Sequence, residues 1–70
     1  MKMSMDISKI GVGDKIKVRV ATRSGWIRGW RVVNGRWNTV DGVFHTTIRA
    51  HGWDRFEIRP HEILDILHRA

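Results

Sequence analysis

The sequence predicts an all-β domain, five short strands curled into one small barrel with a 3₁₀ turn before the last strand. Three observations predict it. Residues 14–22 alternate strictly, with Ile16, Val18 and Val20 facing one way and Lys15, Lys17 and Arg19 the other. Glycine-containing corners, Asn34-Gly35 and Asp41-Gly42 foremost, separate β-branched and aromatic runs. The lone proline, Pro60, stands just ahead of a final apolar run, Ile63-Leu64-Asp65-Ile66-Leu67.

Residues 1–10 read as a lead-in whose Met3, Met5, Ile7 and Ile10 pack loosely on a single domain formed by residues 11–70. Gly11-Val12-Gly13-Asp14 is the turn that launches the first strand, and Thr22-Arg23-Ser24-Gly25 is a polar loop that ends it. The second strand starts at Trp26. Trp26, Arg28 and Trp30 share one parity, yet Ile27 is the better core residue, so a bulge at Arg28-Gly29 is expected. Asn34-Gly35 fits a two-residue type I′ turn, which places Val32 opposite Trp37, Arg31 opposite Asn38 and Val33 opposite Arg36. That register sends Trp30 and Trp37 into the core. Asp41-Gly42, read the same way, pairs Val40 with Val43, Thr39 with Phe44 and Asn38 with His45. Phe44, Thr46, Ile48 and Ala50 continue the inner face. A three-residue loop at His51-Gly52-Trp53 sets Ile48 opposite Phe56 and Thr46 opposite Ile58, which keeps the faces separate, whereas a two-residue loop mixes them. Pro60 removes a ladder donor and ends that strand, leading into a 3₁₀ turn at Pro60-His61-Glu62. Residues 63–67 suit a short amphipathic helix or a strand. The strand is preferred, because it closes the sheet against the first one.

Length and composition limit the function. Seventy residues and 8.2 kDa make one domain, which excludes a multidomain enzyme. There is no cysteine, so neither a disulfide framework nor a thiolate metal site can form. No apolar run reaches the roughly 18 residues of a membrane helix. The opening Met1-Lys2-Met3-Ser4-Met5-Asp6 lacks an apolar signal region, and a cytoplasmic location is expected. So small a core needs its four Trp and two Phe, and it makes a homo-oligomer a natural expectation. The formal charge is +6, and nine of the thirteen bases are Arg.

The Gly-Asp-Lys-Ile-Lys-Val opening at residues 13–18, the glycine-bent second strand and the proline-led turn before the last strand together resemble the SH3-like small β-barrels. The resemblance covers residues 11–68. Within it, Gly13-Asp14-Lys15-Ile16-Lys17, the Gly29-Trp30 pair and the tail Phe56-Glu57-Ile58-Arg59-Pro60 are similar to the plasmid-borne type II dihydrofolate reductases. In that family a Val-Gln-Ile-Tyr run before the proline lines a tetramer's central pore and holds folate and nicotinamide cofactor. Here Ile58 matches that run, while Glu57 stands in place of the Gln and Arg59 in place of the Tyr. The resemblance implies the barrel and a tetramer. A carboxylate among cofactor phosphates is repulsive, so the reductase activity ranks below a binding role.

The hairpin registers collect Arg31, Arg36, Asn38, His45, Arg49, Arg55 and Arg59 on one outward face. Arg presents a planar fork that suits phosphate, and Arg49 directly across from Arg55 is a like-charge pair that an anion would relieve. The expected partner is nucleic acid or another polyanion, with Trp26 and Trp53 at loop tips as stacking candidates. The plainer account of each single Arg is a solvated strand face. The alternative role is homo-oligomeric assembly without catalysis, with Val33, Val40, Val43 and Glu57 as interface candidates. His45, His51, His61 and His68 have no metal-ligand spacing, no serine sits in a nucleophile elbow, and no glycine-rich phosphate loop opens a helix. Neither a metal, nor a cofactor, nor a catalytic group is expected.

Overall fold

The computed structural model describes residues 7–69, so Met3 and Met5 lie outside the described residues. Five antiparallel strands follow a 3₁₀ turn at Ile7–Lys9: β1 (Lys15–Thr22), β2 (Gly25–Asn38), β3 (Phe44–Ala50), β4 (Trp53–Ile58) and β5 (Ile63–Leu67). Their order across the sheet is β4-β3-β2-β1-β5. A 3₁₀ turn at Pro60–Glu62 precedes β5, as expected, and β5 pairs with β1. Pro60 begins this turn without needing an N–H. The Glu62 carboxylate accepts the Arg59 N–H at 2.8 Å, and the Glu62 N–H donates back to the Arg59 carbonyl at 2.9 Å.

β1 alternates as its sequence does, with Ile16, Val18 and Val20 buried and Lys15, Lys17 and Arg19 exposed. It joins β2 through a two-residue corner at Arg23-Ser24, with Thr22 opposite Gly25. The Thr22 hydroxyl donates to the Gly25 carbonyl and accepts the Ser24 N–H, which closes the corner. The ladder then runs without a break past Val18 opposite Gly29, so the bulge expected at Arg28-Gly29 is absent. Gly29 absorbs the bend with φ +90 instead.

The principal correction concerns Asn34-Gly35. It is no hairpin. β2 runs through it for 14 residues, pairing first with β1 and then with β3. The irregularity between Val33 (opposite Ile48) and Gly35 (opposite Thr47) leaves Asn34 as the extra residue of a bulge. The Asn34 side chain ties this bulge down: its amide N–H donates to the Asp54 carbonyl, and its oxygen accepts the Thr47 hydroxyl at 2.7 Å. Asp41-Gly42 does make a corner, but a longer one. Gly42 takes φ +80, its N–H reaches the Thr39 carbonyl, and the Thr39 N–H reaches the Val43 carbonyl, so three residues are enclosed rather than two. The pairing is therefore Trp37 with His45 and Asn38 with Phe44.

The third corner gives the expected pairs, Ile48 with Phe56 and Thr46 with Ile58, by another route. His51 (φ 52) and Gly52 (φ 82) form a two-residue turn with Ala50 opposite Trp53, and a bulge in β4 restores the faces.

All five strands bury side chains in a single cluster with Ile10: Ile16, Val18, Val20, Ile27, Val33, Phe44, Ile48, Ile58 and Ile63. Ile10 is fully buried rather than loosely packed, and Val33, expected outside, is 0% exposed. The tryptophans are the opposite surprise. The core is mostly Ile and Val, and all four Trp are between 42% and 63% exposed, Trp30 and Trp37 included. Phe44 is the aromatic in the buried set, with Phe56 packed against it. Asp14 ties the turn before β1 to the residues that follow β5. Its carboxylate accepts the N–H groups of Gly11 and Arg69, each at 2.8 Å, and lies 2.9 Å from His68 Nδ1.

Candidate functional site

The corrected registers divide the seven-residue face expected from the sequence. His45, Arg49 and Arg55 share one side of β3–β4, and Arg59 follows Ile58 on the same parity. Arg31 lies opposite the buried Ile16, and Arg36 opposite the buried Thr46, so both turn toward the rim of the core face. Asn38 does the same beside Phe44. Arg36 places its guanidinium 5.0 Å from the Phe44 ring, covering the core edge.

On the β3–β4 side two of the basic groups have an acidic neighbour. His45 stacks on Trp37 with centroids 5.3 Å apart, and its Nδ1 is 2.9 Å from a Glu57 carboxylate oxygen. That approach lies off the line of a hydrogen bond, since Nδ1 has no aligned partner. Arg49 lies 3.7 Å from Asp54, and both are solvent-exposed. Glu57 therefore faces His45 within its own chain. Val40 and Val43 are exposed, at and beside the β2–β3 loop.

The outward face of β1 and β2 is different, and sequence reasoning largely missed it. Four rows cross it in register. Ala21 pairs with Trp26, Arg19 with Arg28, Lys17 with Trp30 and Lys15 with Val32. β5 extends the last two rows with Asp65 beside Lys17 and Leu67 beside Lys15. The Trp26 ring is flanked by two guanidiniums, Arg19 at 5.4 Å and Arg28 at 5.1 Å from its centroid. Arg19 and Arg28 are also directly opposed across the strands, a like-charge pair that costs stability on its own. The ring and its two cations are all exposed. Trp26 was among the sequence candidates, but Lys17, Arg19, Arg28 and Trp30 were not. The signal was present as Trp26-x-Arg28-x-Trp30-x-Val32, a plain period-two strand, and assuming a bulge at Gly29 broke it.

Trp53, the second stacking candidate, is 63% exposed and packs on Phe56 with ring centroids 5.5 Å apart. It borders two depressions where the end of β1 faces β4. The larger, about 490 Å³, is lined by Val20, Arg55, Phe56, Glu57, Arg59 and Glu62 among others. The smaller, about 350 Å³, lies between two tight corners and is lined by Thr22, Arg23, Ser24, His51, Trp53 and Phe56.

Fold and surface together define a small basic all-β domain with its tryptophans turned outward. No protein-family model, characterised protein or solved structure matches the chain. Among the described residues no helix is long and apolar enough to cross a membrane, and no group of three or more His, Asp or Glu stands close enough to hold a metal ion.

Proposed function

We propose that this chain is a binding domain of the SH3-like barrel kind that holds single-stranded nucleic acid on the outward face of β1 and β2. The barrel reading is supported by the strand order, by one core fed from every strand, and by the 3₁₀ turn ahead of β5. The binding reading is carried by one observation: an exposed Trp26 ring with the guanidiniums of Arg19 and Arg28 beside it, 5.4 and 5.1 Å from its centroid. A base stacks on such a ring without regard to sequence, and the cations beside it meet the phosphates. Lys17 and the exposed Trp30 continue the pattern one row along. The opposed Arg19 and Arg28 are relieved when an anion lies between them.

Tryptophan fluorescence titrated with a single-stranded homopolymer tests this. Quenching is expected, with an affinity that falls linearly in log salt by about 0.7 per phosphate neutralised. Arg28→Ala should lower that slope by about 1. Trp26→Ala should cost about 1–3 kcal/mol of binding. An affinity indifferent to salt, or to the loss of Trp26, sinks the reading.

One observation favours a second role, self-assembly. At the far end of the same face, exposed Val32 and Leu67 flank Lys15, next to exposed Trp30. Val32 and Leu67 take the place of Val33 among the interface candidates, since Val33 is in the core.

A further inference from the structure

We propose that the cavity between the Arg23-Ser24 and His51-Gly52 corners binds a phosphorylated nucleoside, its base against Trp53 and its phosphate on Arg23. Four features of the cavity lead there. Its volume, about 350 Å³, sits near the lower end of the roughly 300–1,000 Å³ typical of small-molecule sites, which suits one ring system with one substituent. The Trp53 ring is backed by Phe56, and Phe56 itself packs on the core, so Trp53 is a supported plate with its other side open. Every charged or ionisable side chain lining this cavity is a cation or an imidazole, Arg23 and His51, with no carboxylate among them. Thr22 spends its hydroxyl on the Gly25 carbonyl, which leaves Arg23, Ser24 and His51 as the donors to a ligand.

A ring platform beside a guanidinium, with no carboxylate in the lining, favours a planar ring that carries an anion. The neighbouring 490 Å³ depression shares Trp53 and Phe56, but there Arg55 and Arg59 are offset by Glu57 and Glu62, so the phosphate belongs on the Arg23 side. The choice of a nucleoside over other ring-bearing anions rests on the nucleic-acid reading above; the cavity does not. Its position joins the two. Thr22 pairs with Gly25 one register step beyond Ala21 and Trp26, so the cavity lies at the Trp26 end of the β1–β2 ladder. The same chemistry is met by a free mononucleotide.

Calorimetric titration of the full chain decides it. AMP is expected to bind, with adenosine and inorganic phosphate each at least tenfold weaker. Trp53→Ala and Arg23→Ala should each weaken AMP at least tenfold; both side chains are exposed, and circular dichroism should show an unaltered fold. Short oligoadenylates with and without a terminal phosphate identify the source. A gain from the terminal phosphate that vanishes in Arg23→Ala upholds the site as a strand-end site. AMP binding with no such gain upholds it as a free-nucleotide site. AMP that fails to bind, or binds equally to both variants, overturns the proposal. If oligomers still bind through Trp26 in that case, the outward-face reading survives alone. If AMP binds and oligomers do not, the cavity survives alone.

Discussion

Asp14 shows how one carboxylate can hold the turn before the first strand to the residues after the last. Its pKa is lowered from 3.8 to about 2, chiefly by the Arg69 backbone N–H, then by that of Gly11, then by the hydrogen bond with His68. The folded state thus favours the carboxylate more than the unfolded state does. The stabilisation is complete above the unfolded value of 3.8 and is lost as pH falls toward 2. Asp14→Asn keeps the shape but puts an amide N–H where an acceptor is needed. It should cost about 1–3 kcal/mol at neutral pH, by analogy with other hydrogen bonds to charged groups. Urea unfolding at neutral pH and at about pH 2–3 checks it. The wild type should lose more stability on acidification than the variant. Equal losses would place the acid sensitivity elsewhere.

At the scale of the element, β2 shows what the sequence could and could not reveal. Alternation was legible in β1, with its one buried face, and the β3–β4 pairing, though not the length of its corner, followed because only one register kept Ile48, Phe56, Thr46 and Ile58 together. Asn34-Gly35 misled because the dipeptide's preference for a tight turn is local, whereas its use here is tertiary. Neither residue has a positive φ. Gly35 is glycine for want of space: a Cβ there would lie 2.6 Å from the Thr47 hydroxyl oxygen. That hydroxyl is buried and committed to Asn34, so it cannot swing away freely. Gly35→Ala should therefore destabilise by about 1–3 kcal/mol, as overpacking does, although alanine suits a strand better than glycine in general. Chemical denaturation measures it, and an Asn34→Ala background should absorb part of the loss by freeing Thr47. A neutral or stabilising Gly35→Ala would refute this account of the bulge. The bulge assumed at Arg28-Gly29 reversed the parity of Arg31 and Val33, and the Asp41-Gly42 corner read one residue too short let Arg36 and Asn38 follow them, which split the basic face. The Trp26 row, by contrast, needed only uninterrupted alternation to be seen.

For the whole molecule, the two proposed roles compete for one face and respond oppositely to salt. The core is built from Ile, Val and Phe44, and the chain leaves all four tryptophans outside it. A domain near 60 residues buries only about 60% of its unfolded surface, so covering Trp30, Val32 and Leu67 with a second copy would add real stability. Two copies each carrying +6 repel one another. The repulsion reaches about 30 Å at 0.01 M salt and about 3 Å at 1 M. Raising salt should then strengthen self-association, while counterion release makes nucleic-acid binding weaker over the same range. Light scattering and a fluorescence titration across one salt series read both trends. The mean mass should rise with salt in the wild type. It should stay at 8.2 kDa in Val32→Thr, which keeps the β-branch and removes apolar surface beside Lys15. A single-stranded homopolymer, added at low salt, should hold the wild type as separate copies along the strand. A mass that stays monomeric at every salt concentration would remove the apolar row as an interface and leave the Trp26 end of the face as its working part.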